Sequence, residues 1–482
     1  MSVALIHYHL RPGGVTRVIQ RQSEALTQLG VSHVVLAGTP PEEPSRIPVA
    51  VVPSLDYQGN GEPEGARLTR KLLEIATRAL GEEPACWHLH NPILGKNVHF
   101  PGIVAELAER RVPLVLHLHD FAEDGRPENY EMLPAHEQLY PLAPQIRYAT
   151  INSRDHSLLL AAGIPEGQTS LLPNAVTPPV PRNEGTLHPH APLILYPVRG
   201  IRRKNLGEFC LLSALAPPGS SFALALAPDN LRWGPAYGRW QRQVEQDKLP
   251  VKMGVVGQST PPGGTNSSYA SWLAHSTHLI TTSIAEGFGL TFLEPIALGK
   301  PLLGRDLPEI TSDFVSQGAG LGCLYQRLLV PRAWINESRF LALLDDSLCR
   351  LYRSYGEPLP PRIFEETHAV LTHGEYLDFG NLPEELQLEI FPRARIAPGE
   401  VLVHSSQSSV PVTEWLTSAL QNRGPSADSG SLEPWALSRY AEAHQDLYRQ
   451  LTTVTPAKPS WLNRRILLRQ FLRPERFHFL RS

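Results

Sequence analysis

Thr281-Thr-Ser-Ile-Ala-Glu-Gly-Phe-Gly-Leu-Thr-Phe-Leu-Glu-Pro-Ile-Ala-Leu-Gly-Lys-Pro-Leu302 decides the fold of this chain. A buried strand over 278–283 ends near Ser283, a turn containing Gly287 and Gly289 follows, and a helix over 290–298 leads to another strand at 301–304. That succession is a βαβ unit, and in an open parallel sheet ligands sit where strands end and helices begin. The N–H groups of Gly287, Phe288, Gly289 and Leu290, with the positive end of the helix dipole, suit oxygen-rich or anionic groups. Glycine also lets a ligand approach the backbone closely. Two carboxylates, Glu286 and Glu294, bracket the turn about two helical turns apart, so both can face one ligand at different depths. Carboxylates accept hydrogen bonds from sugar and ribose hydroxyls. A purely structural account of Glu294 competes: Thr291-Phe-Leu-Glu294 ahead of Ile296-Ala-Leu298 also fits a capping box, with Pro295 near the helix start.

The same rhythm runs outward in both directions. Strands are expected at 3–7, 33–37, 85–90, 114–119 and 147–152, with helices at 15–29, 66–80, 98–110 and 154–162 between them. Five prolines within 174–192 then break the pattern and mark a linker, because proline lacks the backbone donor that helices and strands use. The pattern restarts with strands at 193–198, 221–227, 251–257, 278–283 and 301–304 and helices at 205–215, 237–246, 267–274 and 290–298. The predicted architecture is α/β: two tandem doubly wound, Rossmann-like domains with a cleft between them and a C-terminal helical extension. The boundaries are 1–175, a linker at 176–192, 193–320, and an extension over 321–482 whose parts pack on either domain. Within it, 340–355 and 434–451 read as helices, and the polar stretch 405–431 reads as loop.

Composition agrees with a globular protein. The 482 residues are 42% hydrophobic and 19% charged, with a formal net charge of −3, which argues against nucleic acid as a partner. The four cysteines, Cys86, Cys210, Cys323 and Cys349, are widely spaced, which predicts a reducing compartment rather than a disulfide framework. No apolar run approaches the ~20 residues a spanning helix needs, so a cytoplasmic location is expected. Only seven lysines occur, and Lys204 lies inside the arginine run Arg199-Gly-Ile-Arg-Arg-Lys204.

Taken together, Glu286-Gly-Phe-Gly-Leu-x-x-x-Glu294, Gly299-Lys-Pro301 and Leu307-Pro-Glu-Ile310 resemble the donor-binding signature of the retaining glycosyltransferases of family 4, which have the GT-B fold. Arg199 and Lys204 are similar to that family's Arg/Lys pair; Gly13-Gly14, His119-Asp120 and Pro173-Asn174 match in the expected order, so the resemblance covers about 1–320. It implies a metal-independent hexosyltransferase, without cofactor, that takes a nucleotide-diphosphate sugar as donor and a small-molecule or glycan hydroxyl as acceptor. Arg199 and Lys204 would hold the diphosphate, Glu294 the ribose, and Glu286 with the amides of Gly287 to Leu290 the sugar hydroxyls. Gly13 and Gly14 would admit the diphosphate and acceptor close to the first domain's backbone, Asn174 would join the donor site, and His119 would sit beside the transferred sugar. Two other functions keep the fold: a nucleotide-sugar epimerase and a non-catalytic nucleotide-sugar-binding scaffold.

Three features lie outside that resemblance. His7-Tyr-His9, His88-Leu-His90 and His117-Leu-His119 end predicted strands, and strand alternation puts each pair on one face. They could converge on a zinc ion, although the family needs none and no metal ligand is assigned. Residues 121–130, with Glu123, Asp124 and Glu128, read as a loop, either acceptor-side or plain surface. The amphipathic segment Arg464-Arg-Ile-Leu-Leu-Arg469 is expected to pack on the first domain; peripheral contact with an anionic membrane, through arginines beside Trp461, Phe471 and Leu472, is the alternative.

Overall fold

In a computed structural model of the chain, all residues are described except 43–45, 58–64, 134–137, 177–190, 407, 423–431, 482 and the side chain of His373. Most of the expected linker therefore lies outside the described residues. The chain divides into two compact units, one of Met1–Val176, Tyr352–Glu357 and Glu433–Arg473, the other of Thr177–Leu351, Pro358–Leu432 and Pro474–Ser482.

In chain order the first 176 residues form β1 (Ser2–His7), α1 (Gly14–Gln28), β2 (Ser32–Ala37), β3 (Val49–Val51), α2 (Gly65–Leu80), β4 (Cys86–His90), α3 (Phe100–Glu109), β5 (Leu114–Leu118), α4 (Pro127–Met132), β6 (Tyr140–Leu142), β7 (Ile146–Thr150), α5 (Ser153–Ala161) and β8 (Thr169–Leu171). Seven strands make a parallel sheet in the order β3-β2-β1-β4-β5-β7-β8. β1, β4 and β5 are buried at every position, as strands covered on both faces must be. Residues 193–325 repeat the plan with β9 (Leu193–Arg199), α6 (Leu206–Leu215), β10 (Ser221–Leu226), α7 (Gly234–Gln246), β11 (Val251–Met253), α8 (Tyr269–His275), β12 (His278–Thr281), α9 (Leu290–Leu298), β13 (Leu302–Arg305), α10 (Pro308–Ser316) and β14 (Cys323–Tyr325). Their sheet runs β11-β10-β9-β12-β13-β14, again parallel. Two doubly wound sheets in tandem are what the alternating pattern predicted. The strand expected over 251–257 stops at Met253, because Gly254 takes a φ of 66° and turns the chain away.

The remainder is not helical alone. β15 (Arg327–Pro331), α11 (Glu337–Ser354), α12 (Ile363–Leu371), β16 (Thr372–His373), β17 (Tyr376–Asp378), α13 (Glu384–Ile396), β18 (Leu402–His404), β19 (Ser409–Pro411) and α14 (Val412–Gln421) include an antiparallel five-stranded sheet, β16-β17-β15-β18-β19. Residues 409–421, expected to be loop, are thus a strand and a helix; Val412, Leu416 and Ala419 recur at helical spacing and are buried, a stripe masked by the polar residues around it. A buried arginine anchors this sheet to the second parallel one. Arg305, ending β13, reaches Glu208 on α6 at 2.6 Å and Asp378 on β17 at 2.7 Å, while Tyr325 donates to Glu208 at 2.6 Å.

The chain ends with α15 (Leu437–Thr453), β20 (Ser460–Leu462) and α16 (Arg464–Phe471), which belong to the first unit. α15 inserts Leu447, Tyr448 and Leu451 into the core formed by β1, β2 and α1. β20 pairs antiparallel with β6, and α16 buries Leu467, Leu468 and Phe471, the Phe471 ring tilted against Phe121 with centroids 5.0 Å apart. The segment 461–471 therefore packs on the first unit, as its amphipathic pattern suggested. No described helix is long and apolar enough to cross a membrane.

Candidate functional site

In the second unit, β9 and β12 are neighbours, so the segments that leave them run side by side. After β9 a single 3-10 turn, Arg202–Lys204, leads into α6 through Asn205, whose left-handed φ of 49° lets its side chain cap the helix. Hydrogen bonds stitch this turn to the segment after β12. Ile284 N–H donates to the Arg203 carbonyl at 3.0 Å, and Thr282 Oγ1 and Tyr196 Oη donate to the Lys204 carbonyl at 2.9 and 3.1 Å. The result is a buried ion pair in which Lys204 Nζ donates to Glu286 Oε1. Arg203 adds a second cation, donating to the Ala285 carbonyl at 2.9 Å and to Glu286 Oε2 at 3.4 Å.

Electrostatics keeps this group charged. Burial pushes the Glu286 carboxyl upward, but Lys204 and then Arg203 outweigh it and hold it below the usual carboxylate value. Burial is also the main influence on Lys204, whose ammonium is lowered to about 8 despite the pull of Glu286. A lysine carries three N–H donors on a flexible stem, so one can stay on Glu286 while another meets an incoming anion.

The turn before α9 completes this corner. Gly289 is the N-cap, with a φ of 90°, and no side chain caps the helix. A Cβ there would come within 2.9 Å of Ile310 Cγ2, so position 289 needs glycine on both conformational and steric grounds. Thr291 lies inside the first turn rather than at the cap, so the capping-box alternative for Glu294 is not realised; Glu294 is half-buried one turn in. Gly287 is half-exposed, and Phe288 is buried edge-on against Phe314 at 5.6 Å. Arg199 goes elsewhere. It ends β9 and pairs with Asp229 at 2.9 Å, the side chains 50% and 71% exposed, while Arg203 is the arginine that reaches Glu286.

In the first unit, the loops after β1, β4 and β5 converge at the C-terminal edge of the sheet. Asn91, at a φ of 52°, accepts from the N–H groups of His119 and Asp120 at 2.7 and 3.1 Å, and its carbonyl accepts from Tyr8 Oη at 2.6 Å. Arg126 pairs with Asp120. Tyr57 is flanked by Arg11 and Lys96, whose charged ends lie 5.7 and 5.6 Å from its ring centre, within reach of cation–π attraction. Arg11 also forks onto Asp56 at 2.8 and 2.6 Å. Gly13 and Gly14 are exposed at the start of α1; a Cβ on Gly13 would meet only the Arg11 carbonyl at 3.9 Å, and one on Gly14 nothing within 4 Å. Neither glycine is demanded by packing, so what they provide is clearance. Asn174 is buried, and its Oδ1 has no partner among the described residues.

The reading of 121–130 as a surface loop is corrected. Phe121, Ala122 and Glu123 are buried, 127–132 form α4, and Tyr140 Oη donates to Glu123 at 2.7 Å. Burial raises the Glu123 carboxyl to about 7.

The histidine pairs do converge, because β1, β4 and β5 are adjacent and His90 lies opposite His117 in register. His88, His90 and His117 are fully buried, and nitrogens of the three lie within 4.8 Å of one another. Five of their six ring nitrogens already have hydrogen-bond partners, in one another and in His119, Gln22 and Tyr448. As arranged, the group is a hydrogen-bonded chain. His119 lies at its end, 5% exposed, stacked on His117 at 4.2 Å, and burial lowers its pKa to about 4. It is therefore a neutral imidazole at neutral pH.

Comparison with known proteins shows what this chain is similar to. Residues 13–175 match the model of the glycosyl transferase 4-like domain. The match takes in about a third of the chain. It is 30% identical over 253 residues to mannosylglucosyl-3-phosphoglycerate synthase of Petrotoga mobilis, an alignment covering 48% of each protein, so the chain spans about half the length of this curated relative. Among solved structures, a glycosyltransferase from Rickettsia africae covers 94% of this chain and 99% of its own at 13% identity, with a TM-score of 0.53. Sucrose-phosphate synthase from Thermosynechococcus elongatus gives the same coverage at 16% identity and 0.51. At such identities the likeness speaks for the fold, the tandem doubly wound arrangement of GT-B glycosyltransferases.

Sequence reading missed several residues at these corners. Arg203 stands directly before Lys204 and carried the same signal. Gln22, a polar residue on the buried face of the amphipathic α1, was also visible in principle. Nothing local marked Asn91, Lys96, Tyr57 or Tyr448, because their partners are distant in sequence.

Proposed function

We propose that the chain is a retaining glycosyltransferase that moves a hexose from a nucleotide-diphosphate sugar to a hydroxyl acceptor, without a metal. The observation that carries this reading is the buried Lys204–Glu286 pair, reinforced by Arg203, beside the glycine-opened start of α9. Lys204 and Arg203 would meet the diphosphate and stabilise the negative charge that grows on it as the sugar leaves. Arg199 can join them at little cost, since an exposed pair such as Arg199–Asp229 is worth ~0–1 kcal/mol. Glu286 and the amides of Gly287 to Leu290 would hold sugar hydroxyls, and Glu294 the ribose; for the first unit, the resemblance implies that Gly13, Gly14 and Asn174 would serve the donor and His119 the transferred sugar. In the transfer, the bond from the anomeric carbon to the phosphate oxygen breaks. The acceptor oxygen bonds to that carbon from the same face, and its proton passes to the departing phosphate oxygen.

The acceptor reading rests on the first unit. Arg11 and Lys96 around Tyr57, with Arg126 nearby, suit an acceptor that carries a carboxylate or phosphate. The Petrotoga relative is named for a phosphoglycerate product, which agrees with that chemistry.

A thermal-shift screen of UDP, GDP and ADP sugars tests the donor half, because a ligand that binds only the folded state raises Tm. One class should stabilise the wild type, and Lys204→Ala should lose the shift. Isomerisation of the donor without acceptor would instead identify an epimerase, and stabilisation without turnover on any hydroxyl acceptor a binding scaffold.

A further inference from the structure

The buried histidines form one hydrogen-bonded chain, and a single amide meets both of its branches. Gln22, on α1, is fully buried and faces both branches of the chain. Its Oε1 lies 2.7 Å from His90 Nε2. Its Nε2 donates to Tyr448 Oη at 2.8 Å and lies 3.1 Å from His88 Nδ1, to which Tyr448 Oη is also within 2.8 Å.

An amide oxygen only accepts and an amide nitrogen only donates. With the Gln22 amide in this orientation, His90 carries its proton on Nε2 and leaves Nδ1 bare. His90 Nδ1 is 2.9 Å from His119 Nε2, so His119 must supply the proton there and keep its own Nδ1 bare. On the other branch, His88 Nδ1 accepts, so its proton is on Nε2 and is donated to His117 Nδ1 at 3.0 Å. Each ring is neutral, since burial holds all four well below their ordinary values. Among the described residues, His119 Nδ1 has no hydrogen-bond partner.

We propose that Gln22 is a positioning residue that fixes the tautomers of His90 and His119 and presents His119 to substrate as an acceptor through a bare Nδ1. The functional half rests on the reading above that His119 contacts the transferred sugar, where a bare nitrogen would take the proton of a sugar hydroxyl in a hydrogen bond. The proton assignment does not depend on that reading.

Nitrogen NMR of the full chain with isotope-labelled histidine separates protonated from bare ring nitrogens. The expected spectrum has the His119 proton on Nε2; a proton on Nδ1 overturns the proposal. Gln22→Met, which removes both amide groups at similar volume, should give mixed tautomers at His119 and lower kcat about tenfold with donor KM unchanged. An unaltered His119 signal in that variant overturns the role of Gln22. Should Gln22→Met fail to fold, Gln22→Glu keeps an oxygen opposite His90 Nε2 and should retain the His119 tautomer; losing it there overturns the proposal equally. A scrambled His119 with kcat intact would overturn the substrate contact of His119 and leave the proton assignment standing.

Discussion

Lys204 is held between two opposing forces, and its charge is therefore sensitive to pH. Burial lowers its pKa to about 8 although Glu286 pulls the other way. The ammonium is thus present below pH 8 and lost above it, so affinity for a nucleoside diphosphate should fall as pH rises through that value. Calorimetric titration on either side of pH 8 measures it, and a flat profile would remove Lys204 from the phosphate site. Lys204→Ala should abolish transfer, and Glu286→Ala likewise. Both side chains are almost wholly buried, and removing one partner of a buried pair costs about 3–5 kcal/mol. Loss of activity must accordingly be read on samples whose circular dichroism matches the wild type. The residue types at this corner were legible in the sequence; their pairing was not. Arg203 rather than Arg199 faces Glu286 because the 3-10 turn rotates the chain between them.

Among the elements, α9 shows how much short-range chemistry can dictate. Its observed bounds, Leu290–Leu298, coincide with those expected, because Gly289 and Gly299 adopt left-handed conformations at its two ends. Gly289→Ala should destabilise the fold by about 1–2 kcal/mol from backbone conformation alone, with more from the contact with Ile310, and should weaken donor binding. A urea titration with and without nucleotide separates the two effects. The antiparallel sheet of the second unit is the opposite case. Its strands are short and its partners lie far along the chain, so no local period announced it. Arg305 joins it to the parallel sheet through Glu208 and Asp378, buried on all sides. Arg305→Leu leaves two carboxylates without their cation and should cost about 3–5 kcal/mol, read as a fall in urea midpoint.

Across the whole molecule, the first unit borrows its last elements from the end of the chain. Leu447, Tyr448 and Leu451 of α15 and Leu467, Leu468 and Phe471 of α16 are buried there. At roughly 1.5–3 kcal/mol for each large apolar side chain, their loss would match a whole domain's stability of about 5–15 kcal/mol. Truncation before Glu433 should therefore leave no cooperative unfolding transition for the first unit, and the product should aggregate. The same burial argues against a membrane role for 461–471. In flotation with anionic liposomes the full chain should remain in the unbound fraction, and migration with the vesicles would show that α16 leaves its place.

Alternating strands and helices, the glycine-opened turn before α9 and the spacing of Glu286 and Glu294 lie within short windows, where local periodicity and backbone conformation are set by adjacent residues. The sequence by itself therefore determined two doubly wound sheets and the residue types at their edges. Which arginine meets Glu286, which helix covers the histidines, and which nitrogen of each ring holds a proton were decided only by the tertiary structure. Those outcomes depend on contacts such as Gln22 with Tyr448, made between residues hundreds of positions apart, and no local pattern encodes a distance of that kind.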